Sequence, residues 1–280
     1  MALSALDRLR LFLRPPGRGI YTVSSGSAYS APILKKIYGT DVPAQVVTHW
    51  EDSLQRLRRV ETVVLGVPSD VGAGFMRGAN FGPFGIREAY LNLYGQYPKH
   101  TVDVGDVIVI PQLLHDEMHS PEQISASREA LYPDVKEPLP VSPLSIAEAA
   151  LGALWELNPK AKVVVLGGDH SVAWPAVRVL SNRFGKDFGI LHLDAHTDLL
   201  PARVGVKYCF ATWAYHAMGL VKPYALVQVG IRASGKTKDH WTSKFPIVQH
   251  WARDVVGRED ETLASILANF SQHAFRRVYI

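Results

Sequence analysis

Residues 188–193 form an apolar run, Phe188-Gly189-Ile190-Leu191-His192-Leu193, and Asp194-Ala195-His196-Thr197-Asp198 follows it directly. The run has the length and composition of a buried parallel-sheet strand. Side chains two apart on extended backbone share a face, so Asp194, His196 and Asp198 can converge where the strand leaves its sheet. Open α/β sheets bind their ligands at the carboxyl ends of strands. A second strand end lies upstream, where Val163-Val164-Val165-Leu166 runs into Gly167-Gly168-Asp169-His170-Ser171. There the two glycines are expected to let the backbone turn tightly, with His170 at the strand end. Together these residues offer carboxylates and imidazoles, a mixed set that suits Mn²⁺, Fe²⁺ or Zn²⁺ better than Ca²⁺. Any one of them alone could cap a helix or satisfy buried backbone. Grouping the acids without a cation would be costly, because like charges repel and desolvation adds to the cost.

Apolar strands alternate with helical periodicity along the chain. Strands are expected at 62–67, 163–166, 188–193 and 225–229, and helices at 48–59, 83–94, 172–183, 208–219 and 259–272. Ser142-Pro143 reads as an N-cap followed by proline at the first helical position. The helix it opens should run to about residue 157 and bury Leu144, Ala147, Leu151, Leu154 and Trp155. This alternation implies βαβ units and a parallel sheet. Pro15-Pro16-Gly17 and Ser24-Ser25-Gly26-Ser27 mark loops. Residues 108–142, rich in Pro, Ser, His and Glu, read as a long excursion. His115 and His119 lie four apart within it, but no apolar helix frames them, so a solvated loop is expected rather than a metal pair.

A chain of 280 residues with 47% apolar and 20% charged residues can bury a sizeable core. Its 30 basic and 26 acidic residues leave a formal charge of +4. The basic residues are scattered, and Arg56-Leu57-Arg58-Arg59 reads as a solvated helix face, so nucleic-acid binding is not expected. No apolar run reaches the length of a membrane span. The single cysteine, Cys209, excludes an internal disulfide, fits a reducing, cytoplasmic setting and is expected to pack rather than react. Arg8, Arg10, Arg14 and Arg18, with Asp7 the one acid among them, give the N-terminus a mild likeness to a transit peptide. An exposed extension over residues 1–60 is the preferred expectation.

The pair GGDHS (167–171) and DAHTD (194–198) resembles the ureohydrolases: arginase, agmatinase, formimidoylglutamase, guanidinobutyrase and their relatives. Gly66-Val67-Pro68-Ser69-Asp70, Gly72-Ala73-Gly74 and Arg77 to Pro83 resemble that family's first strand and following loop. Asp103-Val104-Gly105-Asp106 resembles its DxGD segment, and Val229-Gly230-Ile231-Arg232 its GIR strand end. The resemblance covers residues 61–280. It implies a three-layer α/β/α sandwich with a mainly parallel sheet, arginase-like, and a binuclear site holding two Mn²⁺. By the resemblance His170, Asp194, His196 and Asp198 are metal ligands, and Asp194 bridges the two ions. Asp198 also handles a proton, while Asp169 orients ligands from behind.

Two departures qualify what the resemblance implies. Ureohydrolases carry a further motif, Asp-x-Asp-x-x-Asp-Pro, at the end of a later strand, and its first two aspartates complete the metal site. Residues 275–280 look like the start of that strand, and no substitute Asp-x-Asp occurs elsewhere. The chain as given is therefore expected to supply half of a binuclear site and to be a piece of a longer protein, inactive in this form. The second departure lies at Phe210-Ala211, which stands where many agmatinases and arginases have His-Gly. His216, six residues on, is the candidate to replace the missing catalytic histidine. Phe210 is expected to shape an apolar wall that favours a compact, less charged guanidino compound.

The function implied is metal-dependent hydrolysis of a guanidino or amidino C–N bond, releasing urea or a related product and an amine. A homo-oligomer is expected by resemblance alone. The alternatives are a catalytically impaired scaffold or regulatory subunit of the same fold, and a deacetylase-like hydrolase, which DAHTD argues against.

Overall fold

The computed structural model describes residues 3–21 and 26–280, so part of the loop expected at 24–27 lies outside the described residues. The chain divides into two compact units, Met1–Pro175 and Ala176–Ile280. Each is built on its own mainly parallel sheet.

The first unit holds β1 (Leu13–Arg14), β2 (Thr62–Val67), β3 (Thr101–Val107) and β4 (Lys162–Gly167) in the order β1-β3-β2-β4. Both pairings of β2 are parallel, and β1 joins β3 antiparallel. Its helices are α1 (Ala5–Phe12), α2 (Ala31–Tyr38), α3 (Pro43–Gln55), α4 (Gly82–Tyr94), α5 (Pro121–Leu131) and α6 (Pro143–Leu157). Ser142 precedes α6 in extended conformation, and Leu144, Ala147, Leu151 and Leu154 are buried on it as the periodicity required, with Trp155 half-buried.

The N-terminal residues are not the exposed extension that their lack of familiar motifs suggested. Leu9, Phe12 and Leu13 are at most 1% exposed, α1 packs on α6, and β1 extends the sheet. Of the basic residues that gave this stretch its polar look, Arg8 and Arg10 flank the buried Ala5, Leu9 and Phe12 on a short amphipathic helix, while Arg14 and Arg18 lie beyond it. The excursion at 108–142 also differs from expectation. It contains α5, closed at its start by a capping box in which Ser120 and Gln123 satisfy each other's backbone N–H groups. His115 is buried rather than solvated, and its Nδ1 accepts from the Glu117 N–H, while His119 Nε2 accepts from the Leu114 N–H.

The DxGD segment has a structural task. Arg87 on α4 is fully buried and donates to both oxygens of Asp103, at 2.7 and 2.9 Å, and to Asp106. Tyr97 adds a hydrogen bond to Asp103, and the Gly17 N–H one to Asp106. Buried charge is tolerated only when paired and hydrogen-bonded throughout, and this cluster meets that condition. A Cβ at Gly66 would lie 1.9 Å from Asp106 Oδ1, so β2 must carry glycine for the cluster to form.

In the second unit the sheet order is β7-β6-β5-β8, all parallel: β5 (Gly189–Leu193), β6 (Leu226–Ile231), β7 (Val248–Trp251) and β8 (Val278–Tyr279). The helix α7 (Ala173–Phe184) begins in the first unit, and α8 (Trp213–Met218), α9 (Lys238–Lys244), α10 (Ala252–Val255) and α11 (Glu259–Gln272) belong to the second. Residues 278–279 do form a strand, in register with Gly189 and Ile190 of β5. The helix expected from 208 starts at Trp213, because Thr212 bonds back to Cys209 through both its N–H and its hydroxyl and holds a turn there. Among the described residues no helix is long and apolar enough to cross a membrane.

Candidate metal centre

Each motif lies at the carboxyl end of its strand. In the first unit Asp169 caps a short 3₁₀ helix, His170–Val172, by accepting from the Ser171 N–H at 2.8 Å, and so fixes the turn that carries His170. Burial pushes the Asp169 carboxyl up from its ordinary value. The glycine at 168 is needed for close approach rather than for a positive φ. A Cβ there would lie 1.7 Å from the Ser69 carbonyl, the group to which the Asp169 N–H donates.

In the second unit β5 delivers Asp194 and Asp198 to one place. One ligand atom from each of His192, Asp194 and Asp198 lies within 4.8 Å of the others. The Asp194 N–H donates to Val229 of β6, and the Arg232 and Ala233 N–H groups both donate to the Ala195 carbonyl, so the GIR strand end pins the loop. Asp198 is 6% exposed and sits at φ +51, a left-handed conformation uncommon for a residue with a Cβ. Its Oδ2 accepts from Trp213 Nε1 at 2.9 Å, and Trp213 is itself buried edge-on to His192. An ionised carboxylate bonded in this way contributes roughly 1.5–3 kcal/mol over an unpaired one, enough to hold the strained turn.

The remaining candidates sit differently. His196 has a side chain 59% exposed, with Nδ1 3.2 Å from Asp194 Oδ1, an oxygen that also accepts the His196 N–H. His216 on α8 donates from Nε2 to the Lys207 carbonyl and packs among Tyr208 and Tyr215, so one of its nitrogens serves the loop. The face of Phe210 carries the Arg203 guanidinium at 5.1 Å, so the wall expected to be apolar includes a cation. Cys209 is buried, in keeping with a packing role.

His192 was missed in the sequence because it sits inside the strand. It is 3% exposed, with Nε2 3.3 Å from Asp194 Oδ2 and Nδ1 2.9 Å from Gln228 Nε2. The available signal was a polar residue within each of three strands: His192 in Gly189–Leu193, Gln228 in Leu226–Ile231 and Gln249 in Val248–Trp251. The carboxylates of Asp194 and Asp198, with the His196 imidazole beside Asp194, make a donor set that fits a divalent ion of mixed oxygen and nitrogen preference.

A profile described as the arginase family matches residues 60–280. The chain belongs to the arginase family. Among its relatives, the mitochondrial arginase 1 of Oryza sativa subsp. indica is 29% identical over 208 residues, 74% of this chain and 57% of that protein. The putative agmatinase 1 of Schizosaccharomyces pombe is 32% identical, over 66% of this chain and 50% of that protein. The solved structure of the proclavaminate amidino hydrolase of Streptomyces clavuligerus matches with a TM-score of 0.58 at 25% identity, over 79% of this chain and 66% of that one. This arginase-family chain thus spans about half the length of the curated relatives it matches. Its fold is the α/β fold of those neighbours, with mainly parallel sheets.

Proposed function

We propose that this chain carries the catalytic core of a metal-dependent hydrolase that breaks a C–N bond of a guanidino or amidino compound. The observation that carries the reading is the convergence of Asp194 and Asp198 at the end of β5, with Asp198 buried and held by Trp213. Family membership supports it. Asp194, Asp198 and His196 are the proposed ligands of the second unit, and the GGDHS motif adds His170 on sequence grounds. Divalent cations, two Mn²⁺ in the form we propose, would supply Lewis acidity and a water acidic enough to react near neutral pH.

The chain's own residues then have definable tasks. A guanidinium carbon is a poor electrophile because resonance delocalises its charge. Attack by a water oxygen forms the new C–O bond and requires loss of a proton. Asp198 takes that proton on its carboxylate and returns it to the amine as the C–N bond breaks, giving urea or its analogue. Trp213 keeps Oδ2 of Asp198 aimed while this happens and shields it from bulk water.

The test is release of urea or ammonia across a panel of guanidino and amidino compounds with Mn²⁺ present, together with metal stoichiometry. In a form of the protein that also carries the further aspartates of the family motif, turnover of at least one compound, removed by chelation and by Asp194→Asn, is expected. Metal binding with no turnover anywhere on the panel would instead support a scaffold, and turnover unaffected by Asp194→Asn would refute this site.

A further inference from the structure

We infer that His192 is a positioning residue for Asp194, a hydrogen-bond donor to it and not a metal ligand, although its ring stands within the donor cluster. This rests on the metal-site reading above. A buried chain of hydrogen bonds crosses three strands and fixes which atom of each side chain donates.

His192, Gln228 and Gln249 occupy register-paired positions on β5, β6 and β7. All three are at most 3% exposed. An imidazole inside a sheet can have either nitrogen protonated, and the neighbours decide which. Two fixed groups set the direction here. The Thr197 carbonyl can only accept, so the Gln228 atom 2.6 Å from it must be the amide nitrogen. The Trp251 indole N–H can only donate, so the Gln249 atom 2.9 Å from it must be the carbonyl oxygen. The two assignments, made independently, agree at the middle of the chain, where Gln249 Nε2 donates to Gln228 Oε1 at 2.7 Å.

The second hydrogen of the Gln228 amide then points at His192 Nδ1, 2.9 Å away. Nδ1 must accept, so it carries no proton. In the neutral ring the proton lies on Nε2, the nitrogen facing Asp194 Oδ2. A ligating histidine needs the reverse arrangement, with its second nitrogen donating to an outer partner and the ligating nitrogen bare. Gln228 offers Nδ1 a donor where an acceptor would be required. The chain therefore spends Nε2–H on Asp194 and leaves the other oxygen, Oδ1, to the side of the carboxylate facing His196.

The experiment uses the whole chain labelled with ¹⁵N in its histidines. In the metal-free protein, long-range ¹H–¹⁵N correlation should show His192 protonated on Nε2 and bare on Nδ1. A proton on Nδ1 would overturn the inference. The second arm is Mn²⁺ affinity in two variants whose fold is checked by circular dichroism. In His192→Gln an amide N–H takes the place of Nε2–H and the imidazole is gone. His192→Leu removes both. Affinity of His192→Gln should stay near that of the parent while His192→Leu weakens about 10- to 100-fold, the range for loss of a group orienting a ligand. Equal weakening in both variants would make His192 a ligand after all. The tautomer is read without metal, so failure of the hydrolase reading would leave that result standing.

Discussion

Trp213 and His250 show how single side chains govern this protein. The Trp213 N–H bond to Asp198 predicts that Trp213→Phe, which keeps the ring packing, lowers unfolding free energy by roughly 1.5–3 kcal/mol. Denaturant titration at neutral pH measures it, and an unchanged midpoint would show that Asp198 does not depend on the indole. His250 on β7 is half-buried, and its Nε2 is buried with no hydrogen-bond partner among the described residues. Burial, and then the nearby Lys238, hold its pKa below the ordinary value, with Asp254 opposing them. A depressed folded pKa favours the neutral ring in the fold. Its contribution is therefore present above the unfolded value near 6.5 and is lost as pH falls through the folded one. His250→Phe should make stability less sensitive to acid between about pH 7 and 5. Parallel curves for parent and variant would count against this. At this scale the sequence was legible where chemistry repeats at fixed spacing, as in DAHTD and GGDHS. It was silent on Trp213 and Gln228, because contacts 15 and 36 residues away leave no local pattern.

Elements were readable in proportion to their periodicity. The strand at Thr62–Val67 and the helix at Glu259–Gln272 lie where apolar spacing placed them. The helix α5 escaped notice because it has no fully buried residue, so its pattern is polar throughout and only its capping box announces it. The N-terminal helix was masked by arginines flanking a short apolar face. If α1 is part of the first core, Leu9→Ala should cost about 2–5 kcal/mol, the range for emptying a fully buried leucine site. An exposed appendage would lose almost nothing. Thermal or chemical unfolding followed by far-UV circular dichroism separates the two outcomes, and a change below about 0.5 kcal/mol would return residues 3–14 to the status of an extension.

At the scale of the whole molecule, each unit builds its own sheet and buries its own polar cluster: Arg87 with Asp103 and Asp106 in the first, the His192–Gln228–Gln249 chain in the second. The first cluster is built from the DxGD segment itself, and the second donates from Gln228 to the Thr197 carbonyl of DAHTD. Two carboxylates brought together at the end of β5 repel each other until a cation joins them, so metal should act as a stabilising ligand of the folded chain. Mn²⁺ at 100 times its dissociation constant is expected to add about 2.7 kcal/mol to the unfolding free energy. The sign with pH follows from the ligands: carboxylates must be ionised and imidazoles neutral to bind, so protons compete with metal. The stabilisation should therefore be full near pH 8 and shrink as pH falls towards 5. It should vanish in Asp194→Ala at either pH, since that variant removes the carboxylate shared by His192 and His196. Thermal shifts measured with and without Mn²⁺ at the two pH values test this. A shift of equal size in the parent and in Asp194→Ala would place the ion elsewhere on the molecule.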